Sequence, residues 1–155
     1  MELNVRKATP QDLEMIKELN SMLAEHMQDF EGQVNSKWSF GKDGDRYFRQ
    51  RLSNINEGCI FLATMGGKVV GYLAGGFADK KSRANKTAEL ENMFVLEGFR
   101  KNGVGTKLAE EFLNWCKKQR TRTVKVSTAA GNSKTLKFYR SVGFLDQAIT
   151  LELKL

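Results

Sequence analysis

The stretch Glu91-Asn92-Met93-Phe94-Val95-Leu96-Glu97-Gly98-Phe99-Arg100-Lys101-Asn102-Gly103-Val104-Gly105-Thr106 decides how this chain is read. Residues 87–95 read as a strand, and residues 103–119 form a strongly amphipathic helical pattern. Val104, Leu108, Phe112, Trp115 and Cys116 fall on its inner side, and Lys107, Glu111, Asn114 and Lys118 on its outer side. Between them lies a basic, glycine-containing loop that opens the helix. Helix N-termini present unpaired N–H groups and a partial positive charge, so an anion can settle there. Gly103 and Gly105 let the backbone approach a ligand without a Cβ in the way. Arg100 and Lys101 add charge. Physically this is a pyrophosphate cradle. It is not a Walker loop: Gly98 and Gly103 have the spacing, but Val104 and Gly105 stand where a Lys and a hydroxyl residue belong. The dinucleotide fingerprint GxGxxG fails as well, because Leu108 takes the place of its third glycine. Taken alone, the loop is also consistent with a strand–helix turn that has a solvated basic edge.

Upstream, residues 3–7 read as a first strand. Thr9 and Pro10 then suit a helix start, one as a cap and the other at the first helical position. Leu13, Ile16, Leu19, Leu23, Met27 and Phe30 recur at spacings of three or four, marking one buried helix face that ends near Gly32. Residues 32–44 are polar and glycine-punctuated but contain Trp38 and Phe40. A second short helix follows, with Phe48, Leu52 and Ile55 on one side. Residues 59–65 and 68–78 are apolar runs joined by Gly66-Gly67, a hairpin turn because both residues tolerate positive φ. Residues 79–86 form a cationic loop with Lys80, Lys81, Arg83 and Lys86. Downstream of the amphipathic helix come a short strand at 124–128, a helix at 132–141 and closing strands within 143–155. The order is β-α-α-β-β-β-α-β-α-β. Hairpins imply antiparallel pairing early in the chain, and the crossover from 87 to 128 implies a parallel pair. Residues 1–155 are expected to form one α/β domain.

Length and composition agree. A chain of 155 residues suits one domain, and 41% hydrophobic with 28% charged residues argues against wholesale disorder. No apolar run approaches the ~18 residues of a membrane helix, and residues 1–7 alternate without a signal-peptide core. A cytoplasmic location is expected, with no membrane partner. Cys59 and Cys116 sit in no CxxC pattern and read as buried thiols. With His26 as the single histidine, no metal cluster is expected, and any Ser-His-Asp or Cys-His set would need His26 as its base. The formal charge of +7 favours polyanionic partners. A nucleic-acid binder would rest on that number alone, so nucleic acid is not an expected partner.

Arg100-Lys101-Asn102-Gly103-Val104-Gly105 resembles the (Gln/Arg)-x-x-Gly-x-(Gly/Ala) acyl-CoA signature of the GCN5-related N-acetyltransferase (GNAT) superfamily. Asn132 followed by Phe138-Tyr139-Arg140-Ser141-Val142-Gly143-Phe144 resembles that family's Asn…Phe-Tyr-x-x-x-Gly-Phe segment. The likeness is specific over residues 87–146 and topological over 1–86. It implies a mixed β-sheet of about seven strands flanked by helices, with the fourth and fifth strands splayed apart. Acetyl-CoA would enter that gap as co-substrate. Backbone groups near Phe94 and Val95 would pair with the pantetheine arm. Arg100 belongs to the signature, and the amides of Lys101, Asn102, Gly103, Val104, Gly105 and Thr106 would hold the pyrophosphate. Asn132 would touch the pantetheine, and Tyr139 would lie near the sulfur. A homodimer formed by sheet pairing is compatible with the family.

Acetyl transfer to an amine requires a deprotonated acceptor, a polarised thioester and a protonated leaving thiolate. Tyr139 is the expected general acid. Glu89 and Glu91 lie two apart on a strand and so share a face. Glu91, nearer the splay, is the candidate base acting through water. The alternative is that both are solvated or paired with Lys86 or Lys101. Some relatives that acetylate protein N-termini carry a glutamate about where Ser127 falls here. No cysteine is placed as a nucleophile, so direct attack is expected. The acceptor site would be built from the first helical region, the 32–44 and 79–86 loops and the last hairpin, with Trp38 and Phe40 as walls. A cationic 79–86 loop facing the acceptor would disfavour polyamines. The expected activity is N-acetylation of a primary amine on a small molecule or peptide. The alternative is a non-catalytic CoA-binding or interaction module of the same fold.

Overall fold

A computed structural model of the chain describes residues 1–54, 56–78 and 86–155. The expectations for Ile55 and for Lys80, Lys81 and Arg83 lie outside the described residues. Five strands form one sheet in sequential order: β1 (Leu3–Lys7), β2 (Gly58–Met65), β3 (Lys68–Ala78), β4 (Thr87–Val95) and β5 (Thr123–Val126). β1 to β4 pair antiparallel, and β4 pairs parallel with β5 through a helical crossover. The helices are α1 (Leu13–Met27), α2 (Lys42–Ser53), α3 (Val104–Lys118) and α4 (Ser133–Val142).

Helices cover both faces of the sheet. On one face Val104, Leu108, Phe112 and Trp115 of α3 pack with Phe61, Leu73 and Leu90. On the other, Leu13, Ile16 and Leu19 of α1 and Phe48 of α2 pack with Ile60, Leu62 and Tyr72. Burial on both faces is why β2 and β3 read as continuous apolar runs rather than alternating ones. Gly66 and Gly67 have φ of 59° and 78°, the pair of left-handed residues that a two-residue hairpin needs. Cys59 and Cys116 are buried, and burial pushes the Cys116 thiol up to about 12, so it stays protonated and unreactive.

Two expectations are corrected. α1 ends at Met27 and Phe30 is exposed, so the helical spacing outruns the helix. The sheet among the described residues has five strands, not about seven, because residues 143–155 form no strand. Alternation fixes which face a side chain would take, but a strand exists only where a ladder partner is reached. After Phe144, whose N–H donates to the Tyr139 carbonyl at 3.1 Å, the chain runs out with no backbone partner among the described residues.

One irregularity positions the site. Asn92 lies opposite Ala74 and Leu90 opposite Gly75, so Glu91 is an extra residue on β4. This bulge inverts the alternation. Ala88 and Leu90 before it, and Met93 and Val95 after it, all join the α3-side core. Phe94 is left on the α1/α2 side.

The chain enters α1 through a short 3-10 turn (Pro10–Asp12) secured by charge. The Thr9 N–H donates to Asp12 Oδ2 at 2.8 Å, and Arg6 grips the same carboxylate at 2.8 and 2.9 Å. The Arg6 hydrogen bonds hold the Asp12 carboxyl down to about 2. A depressed carboxyl stabilises the fold above its unfolded value of about 3.9 and loses that contribution as pH falls towards 2. Urea unfolding between pH 5 and pH 3 is therefore expected to show a smaller stability loss for Asp12→Asn than for the parent chain. Equal slopes would remove Asp12 from the acid response.

Among the described residues no helix is long and apolar enough to cross a membrane, and no group of His, Cys, Asp or Glu side chains is arranged to hold a metal ion.

Candidate active site

The parallel ladder is short. β4 pairs with β5 only over Thr87–Leu90 against Thr123–Val126. Past that point residues 91–95 have no β5 partner, and the chain after Val126 heads for α4. The strands therefore part where Phe94 and Val95 carry β4 towards the loop.

That loop is built by a 3-10 turn (Glu97–Phe99) and two left-handed residues, Lys101 at φ 63° and Gly103 at φ 79°. Arg100 turns back: its Nε donates to the Val95 carbonyl at 2.8 Å, and its guanidinium lies 5.3 Å from the Phe94 ring centre. Its side chain thus pins the end of β4 to the loop. The Lys107 N–H bonds the Gly103 carbonyl at 3.0 Å. The N–H groups from Lys101 to Thr106 meet no acceptor among the described residues. Unpaired amides at a helix N-terminus favour an anion there. The two glycines serve it differently. Gly103 supplies the positive φ. A Cβ on Gly105 would stand 3.3 Å from Phe138 Cζ, so its absence lets α4 close against the first turn of α3.

On α4, Asn132 is the N-cap, its Oδ1 accepting the Thr135 N–H at 3.2 Å. Its amide nitrogen has no partner among the described residues. The Tyr139 ring is buried against Phe138 and Phe144, with centroids 5.2 and 5.7 Å apart. Its hydroxyl makes no hydrogen bond within the described chain. Unlike Trp115 Nε1 and Thr121 Oγ1, it is not a fully enclosed unpaired polar atom among the described residues. Burial pushes the phenol above its ordinary range, so it holds its proton.

The opposite wall comes from α1 and α2. Glu91 pairs with neither Lys86 nor Lys101. Arg51 on α2 grips both its oxygens, Nε to Oε1 at 2.8 Å and Nη2 to Oε2 at 3.0 Å. The guanidinium also lies 3.7 Å from the centre of the Tyr47 ring. Glu89 is half-buried and has no ion-pair partner among the described residues. Beside Glu91 a polar chain crosses the interior. Tyr47 Oη accepts from Asn92 Nδ2 at 3.1 Å. Asn92 Oδ1 accepts from the Tyr72 hydroxyl at 2.8 Å and from Asn20 Nδ2 at 3.1 Å. Burial, followed by the nearby Glu91 charge, lifts the Tyr47 phenol well above its usual value. Trp38 stacks edge-on against Tyr47 and Phe48 at 5.5 and 6.0 Å, while Phe40 is exposed. Arg51, Tyr47, Asn20, Tyr72 and Asn92 have no counterpart among the residues singled out from sequence. The signal that would have found Asn92 is the bulge, which belongs to the pairing of two strands.

The acetyltransferase (GNAT) family model matches residues 19–144. An uncharacterized N-acetyltransferase of Archaeoglobus fulgidus is 24% identical over 143 residues, covering 90% of each chain. An uncharacterized N-acetyltransferase of Methanocaldococcus jannaschii is 28% identical over 108 residues, 67% of this chain. The match spans only 46% of that relative, less than half its length. Among solved structures, the aminoglycoside acetyltransferase AAC(6')-Iy bound to the bisubstrate analog CoA-S-monomethyl-acetylneamine aligns with a TM-score of 0.74 at 17% identity, covering 100% of this chain and 99% of that one. This last likeness is one of fold.

Proposed function

The chain belongs to the GNAT family of acetyltransferases and is an acyltransferase, and from that premise we propose that it moves the acetyl group of acetyl-CoA to a primary amine of a small molecule or peptide by direct attack. The observation that carries the proposal is the cradle of unpaired amides from Lys101 to Thr106 beside the point where β4 and β5 part. Those donors and the open edge at Phe94 and Val95 fit a diphosphate followed by a polyamide arm. The fold shared with an acetyltransferase held by a CoA-containing bisubstrate analog supports the same reading.

Acetyl-CoA supplies the activated thioester; the chain supplies position and proton transfer. The cradle amides donate to the diphosphate, with Lys101 adding charge. Asn132 donates its free amide hydrogens towards the arm. The acceptor nitrogen attacks the carbonyl carbon, the N–C bond forms and the C–S bond breaks. The Tyr139 hydroxyl delivers its proton to the departing sulfur and is reprotonated from solvent. Glu91, fixed by Arg51, takes the acceptor's proton through a water.

CoA titration by calorimetry, with thiol release across a panel of polyamines, aminoglycosides, lysine peptides and N-terminal peptides, tests this. The expected result is saturable CoA binding and release with at least one amine. Gly103→Val should weaken CoA binding roughly tenfold or more, since a β-branched residue at φ 79° costs about 1–3 kcal/mol. Absence of CoA binding sinks the proposal. Binding without release from any amine would make the chain a CoA-binding or interaction module.

A further inference from the structure

A net charge of +7 does not say where the charge sits. The structure gathers part of it at the far end of α3, a helix length away from the loop that opens it. The last turn carries Lys117 and Lys118, and Arg120 and Arg122 follow as the chain turns into β5. Lys86, just before β4, is tied to the same corner. Its Nζ donates to the Gln119 carbonyl at 3.1 Å, and its own carbonyl accepts the Arg122 N–H at 3.0 Å. All five residues are exposed, and none has an ion-pair partner among the described residues. The first carboxylate along the β4–β5 ladder is Glu89, opposite Lys125 and two residues in from its end.

The helix end does not require so many cations. A helix C-terminus favours positive charge in its last turn, which accounts for Lys117 and Lys118 but not for the residues beyond. Its carbonyls already have donors. The Arg120 N–H bonds the Lys117 carbonyl and the Thr121 N–H the Cys116 carbonyl, both at 3.0 Å. That pair of bonds needs a left-handed residue at position 120, where glycine is usual. The residue is arginine, at φ 59°. An arginine side chain is thus kept where glycine would be less strained, and strain of this kind persists at functional sites.

We propose that this corner docks the phosphodiester backbone of a nucleic acid, without regard to its sequence. Protein interfaces centre on aromatic and other large anchors, and membrane-surface segments insert an apolar face. None of the exposed large hydrophobic side chains falls at residue 86 or within 117–125. What the corner offers is cations and the exposed Thr123, the groups that meet phosphate and sugar. They come from three segments, the start of β4, the end of α3 and the turn into β5, so they form a surface and not a single run. α3 has 15 residues, about 22 Å at ~1.5 Å each, and its length separates this corner from the loop assigned to acetyl-CoA. The docking surface does not depend on the catalytic reading above.

Fluorescence anisotropy of the full chain with short labelled RNA, single-stranded DNA and duplex DNA tests this. Saturable binding to at least one is expected, and the preferred one identifies the source of the backbone. On duplex DNA, five neutralised phosphates at ~0.9 each in the log–log salt slope weaken binding about 10²–10³-fold between about 50 and 200 mM salt. Arg120→Gly should lower that slope by about 1 with a melting temperature no lower than the parent's, a split that a merely structural arginine would not give. Arg120→Gln/Arg122→Gln should lower it by about 2. Lys42→Gln/Lys154→Gln, which removes the same charge from exposed positions elsewhere, should leave it unchanged. Saturating CoA should displace nothing. No binding to any of the three nucleic acids overturns the proposal, as do equal losses in the two double variants or displacement by CoA. Binding to phosphatidylserine vesicles in place of nucleic acid would make the corner a membrane-surface patch and overturns it too.

Discussion

Tyr139→Phe is expected to lower kcat by roughly 10²–10⁴-fold, the usual contribution of a positioned acid, while CoA affinity and melting temperature stay where they are. The reason is the separation of ring from hydroxyl. The ring is core, touching Phe138 and Phe144, and Phe keeps those contacts. The hydroxyl bonds nothing in the described chain, so its removal strands no partner. What is lost is a proton held by a phenol that burial keeps neutral. The pH profile separates this from a packing role. With Tyr139 as the acid, kcat in the parent chain should persist to pH values above an ordinary phenol's range, and the variant should lose rate evenly across the neutral region. The loss should appear in kcat and in kcat/KM alike, as for an interaction made only in the transition state. Unchanged kcat would reduce Tyr139 to a core aromatic.

The parts of the molecule legible in sequence are those that one segment determines alone. The inner face of α3 follows from spacing, and all five residues assigned to it are buried. Gly66-Gly67 announces its turn because no neighbouring strand is needed to make positive φ cheap. The glycine loop that opens α3 was legible for the same reason: loop, glycines and helix start are contiguous. Pairwise properties were hidden. The Glu91 bulge depends on the register against β3. The grip of Arg51 on Glu91 joins residues forty apart, and the Asn20–Asn92 bond spans seventy-two. Residues 149–155 show the limit in the other direction. Their alternation has the strand period, yet they pair with no strand among the described residues. Phe30 likewise keeps the helical rhythm of α1 beyond the residue where the helix stops.

The second large effect is expected at the Arg51–Glu91 pair, where structure and chemistry make different demands. The side chains are 14% and 23% exposed, so both charges are mostly out of water, and each satisfies the other through two short bonds. Removing one leaves the other stranded. Fully buried pairs lose about 3–5 kcal/mol in that way. With some water access, Arg51→Met should cost about 2 kcal/mol in urea unfolding. The double variant Arg51→Met/Glu91→Leu should recover much of that loss, because no uncompensated charge remains. If Glu91 serves only to anchor α2 to β4, the kcat of Glu91→Gln and Arg51→Met should fall together, in step with stability. If Glu91 is the base, Glu91→Gln keeps the shape and part of the hydrogen bonding but should still lose about 10²-fold in kcat. Arg51→Met, which leaves the carboxylate in place, should then retain far more. Equal kcat losses in the two variants, each rescued in the double variant, would assign the base to Glu89 or to solvent and leave Glu91 as a strut.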